Sequence, residues 1–162
     1  MRIIAGEAKG RRLAAPGSGT RPFTGRAKEA VFSSLHRHLP GSHVLDLFAG
    51  SGSLGLEALS RGAESAVFVE SSRGAIGVLA DNVASVGLGG DVVNADAERF
   101  LERDTRTYSL VFVDPPNSID DERVVRILDL VEYRLRDYGR VNVHRRAGGT
   151  APESDNLQCT GR

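Results

Sequence analysis

The chain has 162 residues, which fits one domain and is short for two. Apolar residues make up 40 % of it, enough for a compact core and too many for wholesale disorder. A lone cysteine, Cys159, excludes an internal disulfide and a cysteine-based metal site. No apolar run approaches the roughly 20 residues of a membrane span, and no apolar signal-peptide stretch follows Arg2. We expect a cytoplasmic, monomeric protein with no membrane partner. The net charge of zero hides an asymmetry: residues 1–40 hold eight bases and two acids, a net +6, and the remainder carries −6. A basic arm on an acidic body points to an anionic partner beside the body's own site.

In chain order, Arg2-Ile3-Ile4-Ala5-Gly6 and Arg11-Arg12-Leu13-Ala14, with a turn near Lys9-Gly10, predict a small basic β-hairpin. The Gly- and Pro-rich segment 15–20 is a loop. Thr24 is placed to cap a helix reaching Leu39, with Ala27, Ala30, Val31, Ser34 and Leu35 spaced for one buried face. Strands then alternate with helices: a strand over 44–48, a helix over 54–60, a strand over 65–70, a helix over 73–86 stopped by Gly87, a strand over 91–95 and a helix over 97–103. An apolar strand over 110–113, a helix over 122–135 and a fifth strand over 140–143 complete the series. Near-continuous apolar strands separated by helices imply an α/β fold with a doubly wound, mostly parallel sheet covered on both faces. Ligands then bind at the carboxyl ends of the strands. The expected organisation is a basic extension of hairpin and helix over 1–40, a core over 41–147 of the same domain, and a polar tail over 148–162.

The chemistry concentrates after the strands. The first opens into Asp46-Leu47-Phe48-Ala49-Gly50-Ser51-Gly52-Ser53-Leu54-Gly55, where glycines let the backbone turn sharply and approach a ligand. Gly50, Gly52 and Gly55 match the dinucleotide fingerprint, a weak signal alone. Asp46, however, would repel a pyrophosphate and welcome a cation. Glu70 stands 20 residues past Gly50, where an acid accepts both hydroxyls of a ribose. Asp96, with Ala97 packing nearby, is placed to accept from an adenine amino group. Asp114-Pro115-Pro116-Asn117 is the most specific element: a carboxylate and a proline carbonyl form two acceptors for the hydrogens of an exocyclic amino group.

These residues resemble, in order, those of the bacterial small-subunit rRNA guanine-N2 methyltransferases. The resemblance rests on the loop from Asp46 to Gly52 with Leu54 to Ala63, the basic start from Arg2 to Leu13, and Arg21-Pro22 with Arg26 and Lys28 to Phe32. Phe68-Val69-Glu70 and Phe112 to Pro116 continue it, so it covers about residues 2–116. It implies a Rossmann-like methyltransferase fold using S-adenosyl-L-methionine. Asp46, Phe48, Gly50 and Gly52 would line the cofactor site, Glu70 would hold the ribose, Asp96 and Ala97 the adenine, and Thr24 would approach the methionine end. Asp114, Pro115, Pro116 and Asn117 would form the catalytic loop that receives the guanine amino group. Arg2, Lys9, Arg11, Arg12, Arg21, Arg26 and Lys28 would grip phosphates of the rRNA, free or in the small ribosomal particle. No metal is expected, since His36, His38, His43 and His144 lack ligand spacing.

Asn117 departs from the family, which carries Phe or Tyr there to stack on the target base. The two-strand hairpin that follows in the family after Val143 is not recognisable either, so the fifth strand is expected at an exposed edge. Three other readings stay open: a DNA adenine-N6 methyltransferase, a non-catalytic RNA-binding relative that keeps the fold, and a nicotinamide dehydrogenase.

Overall fold

The computed structural model describes residues 1–17 and 25–143. Arg21, Thr24, the segment after Val143 and the expected polar tail lie outside those residues. The chain runs α1 (Gly25–Leu35), a short 3-10 turn (His36–His38), β1 (His43–Leu47), α2 (Ser53–Ser60), β2 (Ser65–Glu70), α3 (Arg73–Val86) and β3 (Asp91–Asn94). It continues through α4 (Ala97–Arg103), β4 (Tyr108–Val113), α5 (Asp121–Glu132) and β5 (Leu135–Val143). The five strands form one sheet in the order β3-β2-β1-β4-β5, and every pairing in it is parallel. The order reverses between β1 and β4, which opens a crevice at their carboxyl ends.

Alternation along each strand divides the core in two. Val44, Phe68, Leu110 and Phe112 face a cluster shared with Phe32, Leu56 and Leu79, and with Ile3, Ala8 and Leu13 of the N-terminal extension. Leu45, Leu47, Val67, Val69, Val111 and Val113 face a second cluster built on Leu101, Ile127 and Val131. The extension is therefore part of the same core as the sheet. Its expected hairpin exists as a single antiparallel bridge, Arg2 to Arg12, supported by Ile3 N–H donating to Arg11 O at 3.0 Å. Gly6 (φ +84°) brings this hairpin onto the end of α2, where a Cβ would sit 1.7 Å from the Ser60 carbonyl oxygen.

Two expectations are corrected. The buried face of α1 is Lys28, Phe32 and Leu35, whereas Ala30 and Ser34 face outward. The resemblance places Lys28 among the phosphate-binding bases, but a buried acid on α2, Glu57, draws it inward. The last helix stops at Glu132, and Leu135 already belongs to β5 because it pairs with Tyr108. Arg134 secures that junction, its guanidinium donating twice to the Leu101 carbonyl at 3.2 and 2.9 Å.

Candidate active site

A cavity of about 830 Å³ lies at the carboxyl ends of the central strands. Its walls include Asp46, Phe48, Gly50, Glu70, Asp96, Asp114, Pro115, Pro116 and Asn117, residues that the sequence places far apart. Phe48 has a φ of 60°, and among the described residues no other non-glycine has a positive φ. A bulky residue held in this region carries backbone strain, which clusters at ligand clamps.

Asp46 is buried at the end of β1, and its Oδ2 accepts from Gly55 N–H at 2.9 Å. Gly52, the residue before α2, offers no side-chain cap, so Asp46 takes that part from the neighbouring strand. Burial is the main cause that pushes the Asp46 carboxyl up to about 8. The negative charges of Asp114 and Glu70 add to the rise, and the Gly55 hydrogen bond opposes it. Glu70 ends β2 and accepts from Gly50 N–H at 2.8 Å and Ser72 N–H at 2.7 Å, one bond to each oxygen. It thus pins the glycine loop and keeps lone pairs for further donors.

These carboxylates test the fit of a cationic donor. A buried acid beside two others is destabilised when ionised, and a cation in the cavity relieves it. The acid-lined cavity therefore fits S-adenosyl-L-methionine, a cationic cofactor.

Asp96 lines the cavity, but both its oxygens already have partners. Oδ1 accepts from Arg99 N–H at 3.3 Å as the cap of α4, and Oδ2 is paired with the Arg123 guanidinium. Burial tends to raise its pKa, but the bonds from Arg123 and the Arg99 backbone outweigh it and hold the carboxyl below its ordinary value. Arg123 also reaches Glu98 at 2.7 Å, so it joins the first turn of α5 to that of α4 across the cavity wall.

Two expected cofactor residues are not in the wall. The Cβ of a residue at Gly52 would lie 2.7 Å from Leu79 Cδ1, so this glycine serves the packing of α2 on α3. Ala97, the first residue of α4, is buried in the core. Thr24 lies outside the described residues.

Among the bases expected to face RNA, Arg2, Lys9, Arg11, Arg12 and Arg26 are exposed, although Arg11 also donates to the Ser85 carbonyl at 2.7 Å. Lys28 does not belong with them. It is only 3 % exposed, with Nζ 3.0 Å from Glu57 Oε2 and 3.0 Å from the Arg2 carbonyl. Glu57 also accepts from Ile4 and Ala5 N–H at 2.8 and 3.0 Å and from Arg61 at 2.8 Å. Sequence reasoning missed Glu57, although a charged residue inside the otherwise apolar run Leu54–Leu59 signals a buried acid that needs partners. It also missed Arg123 and the contribution of Met1 and Ala15 to Gly17 to the cavity wall, for which no local pattern exists.

Comparison with known proteins places the chain in a family. The family model described as conserved hypothetical protein 95 matches residues 1–158. The chain is 40 % identical over 143 residues to "Putative rRNA methyltransferase YlbH" of Bacillus subtilis, covering 83 % of this chain and 76 % of that one. It is 44 % identical over 118 residues to ribosomal RNA small subunit methyltransferase D of Escherichia coli, covering 72 % of this chain and 60 % of that protein. The solved structure "Putative methyltransferase yhhF from Escherichia coli" superposes with a TM-score of 0.82 at 36 % identity, over 96 % of this chain and 86 % of that one. The chain therefore belongs to the conserved hypothetical protein 95 family, the family of the ribosomal RNA small subunit methyltransferase D proteins.

Proposed function

We propose that the chain transfers a methyl group from S-adenosyl-L-methionine to the N2 amino group of a guanine in small-subunit rRNA. The observation that carries this reading is one cavity, at the reversal point of the sheet, walled by Asp46, Glu70 and the Asp114-Pro115-Pro116-Asn117 loop. When bound, the cofactor supplies a methyl group on a positively charged sulfur. Asp46 balances that charge, Glu70 accepts from the ribose hydroxyls, and Asp96, held by Arg123, presents its remaining lone pairs toward the adenine.

The acceptor side belongs to the loop after β4. The Asp114 carboxylate and the Pro115 carbonyl accept the two N–H groups of the guanine amino group. Accepting both hydrogens favours a pyramidal nitrogen whose lone pair points at the methyl carbon, so catalysis is positioning and electrostatics. Pro116 and Asn117 are exposed at the rim, and Ile119 N–H closes a turn onto the Pro116 carbonyl at 3.1 Å. Exposed Arg2, Lys9, Arg12 and Arg26 supply phosphate contacts.

Incubation with methyl-labelled cofactor and immature small-subunit rRNA, free and in particles, tests the reading, with duplex DNA as a parallel acceptor. Label at guanine N2 of the rRNA is expected. Label on DNA adenine alone, or rRNA binding with no transfer, would replace it with one of the alternative readings.

A further inference from the structure

A second hollow, of about 570 Å³, lies on the other side of Asp96, between the edge strand β3 and α4. Ser71 and Asp96 belong to the walls of both hollows, so this one borders the cofactor cavity. Its floor is apolar, with Val93 and Phe100, and Arg99 and Arg103, one helical turn apart on α4, stand at its rim.

The charges here do not cancel. Asp96 is held by Arg123, and Asp104 is bonded to Arg106 at 2.7 Å and to the Tyr108 hydroxyl at 2.6 Å. Glu98, on the same helix, is taken by Arg123 and Arg126. Arg99 and Arg103 are exposed, and among the described residues neither guanidinium has an ion pair, with Glu102 or with any other acid. The acids of the hollow are already neutralised and its arginines are not, which leaves a positive rim above an apolar floor. That combination suits a nucleotide, whose phosphate pairs with guanidinium and whose base covers apolar surface.

We propose that this hollow is a second contact surface for the RNA, separate from the N-terminal hairpin, in which Arg99 and Arg103 pair with backbone phosphates of the strand that carries the target base. The inference rests on the reading of RNA as the substrate. It places RNA contacts on both sides of the cavity mouth, one on the extension and one on α4.

The test uses the full chain with Arg99→Gln and Arg103→Gln, singly and together, and an Arg136→Gln control at an exposed arginine bonded to Thr107, at the amino end of β4 and so at the end of the sheet opposite the cavity. Binding of a small-subunit rRNA transcript is measured by fluorescence anisotropy over a range of salt concentrations, and binding of S-adenosylhomocysteine by calorimetry. Two lost phosphate contacts should flatten the slope of log affinity against log salt by about 1.5 and weaken binding at physiological salt about tenfold, each single variant giving about half of the slope change. Affinity for S-adenosylhomocysteine should match the wild type, which also shows that the variants are folded, and Arg136→Gln should leave the slope in place. If the wild type binds and methylates the transcript and the double variant keeps its slope and affinity, the second surface is overturned and the methyltransferase reading stands. If the wild type neither binds nor methylates it, both fall.

Discussion

Glu57 and Lys28 form an ion pair at 3.0 Å in which neither side chain reaches water to any useful extent. Glu57 stands on α2, the helix that follows the glycine loop, and Lys28 stands on α1, so the pair ties the N-terminal extension to the element that shapes the cofactor site. Two further donors from the extension, Ile4 and Ala5 N–H, converge on the same carboxylate. Removing one partner of such a pair leaves the other charge buried.

Lys28→Ala should therefore lower stability by about 3 kcal/mol in urea denaturation. Because Lys28 makes no phosphate contact, the salt slope of RNA binding should stay at the wild-type value, whereas Arg12→Gln should reduce it by about 0.8. A reduced slope in the Lys28 variant would return this residue to the RNA surface. Burial tends to raise the Glu57 pKa, but the donors from Ile4, Arg61 and Lys28 outweigh it and hold the carboxyl below its ordinary value. Its contribution to stability is thus complete above the unfolded value of 4.5 and is lost as pH falls through the lower folded value.

Asp46 behaves in the opposite sense. Its folded pKa of about 8 exceeds the unfolded 3.8, so between those values the folded chain holds a proton that the unfolded chain has released. The contribution of this group to stability accordingly falls as pH rises through that window. Asp46→Asn should raise the melting temperature at pH 8.5 and have little effect near pH 4, measured by calorimetric melting. The same substitution should abolish detectable binding of S-adenosyl-L-methionine. In the wild type, cofactor binding at pH 7 should release close to one proton, read by titration in buffers of different ionisation enthalpy. Proton release of zero would show that Asp46 does not meet the positive end of the cofactor.

Asp114 and Asn117 separate chemistry from substrate binding. Asp114→Asn keeps the shape but turns one acceptor into a donor, so kcat should fall about a hundredfold while S-adenosylhomocysteine affinity changes by less than about threefold. Asn117→Tyr puts a ring at the exposed rim of the Asp-Pro-Pro loop. Base stacking contributes roughly 1–3 kcal/mol, so KM for rRNA should fall about tenfold. An unchanged KM would mean that the target base does not pass this position.

Arg123 is expected to act on the cofactor through Asp96. Arg123→Met leaves Asp96 and Glu98 without their shared partner, and S-adenosylhomocysteine should bind about tenfold more weakly, with Arg123→Lys recovering part of the loss. The recovery is incomplete because an ammonium does not reproduce the forked contact to two carboxylates. Wild-type affinity in Arg123→Met would show that the ion pair is only a surface strut.

Much of the architecture was legible because strand and helix periods differ and glycines mark loops. β2, α3 and α4 have the bounds that pattern alone predicts. The junction of α5 and β5 was not legible, since Leu135 fits a helical face and a strand equally well until Tyr108 is beside it. Gly52 looked like a ligand glycine because the motif is the same whether the missing Cβ admits a cofactor or, as here, Leu79.

Acids at strand ends and the Asp-Pro-Pro loop are local features, and local order in a parallel sheet carries them to the same edge, so the sequence alone determined the cavity's principal residues. Tertiary structure decided which charges are available. In a linear chain Lys28 and Arg123 read as solvent-facing charges and Asp96 as a free acceptor, and contacts spanning 25 positions or more show that each is already paired. Solvation explains the difference: a charge's role depends on whether water or a partner surrounds it, and distant segments decide that.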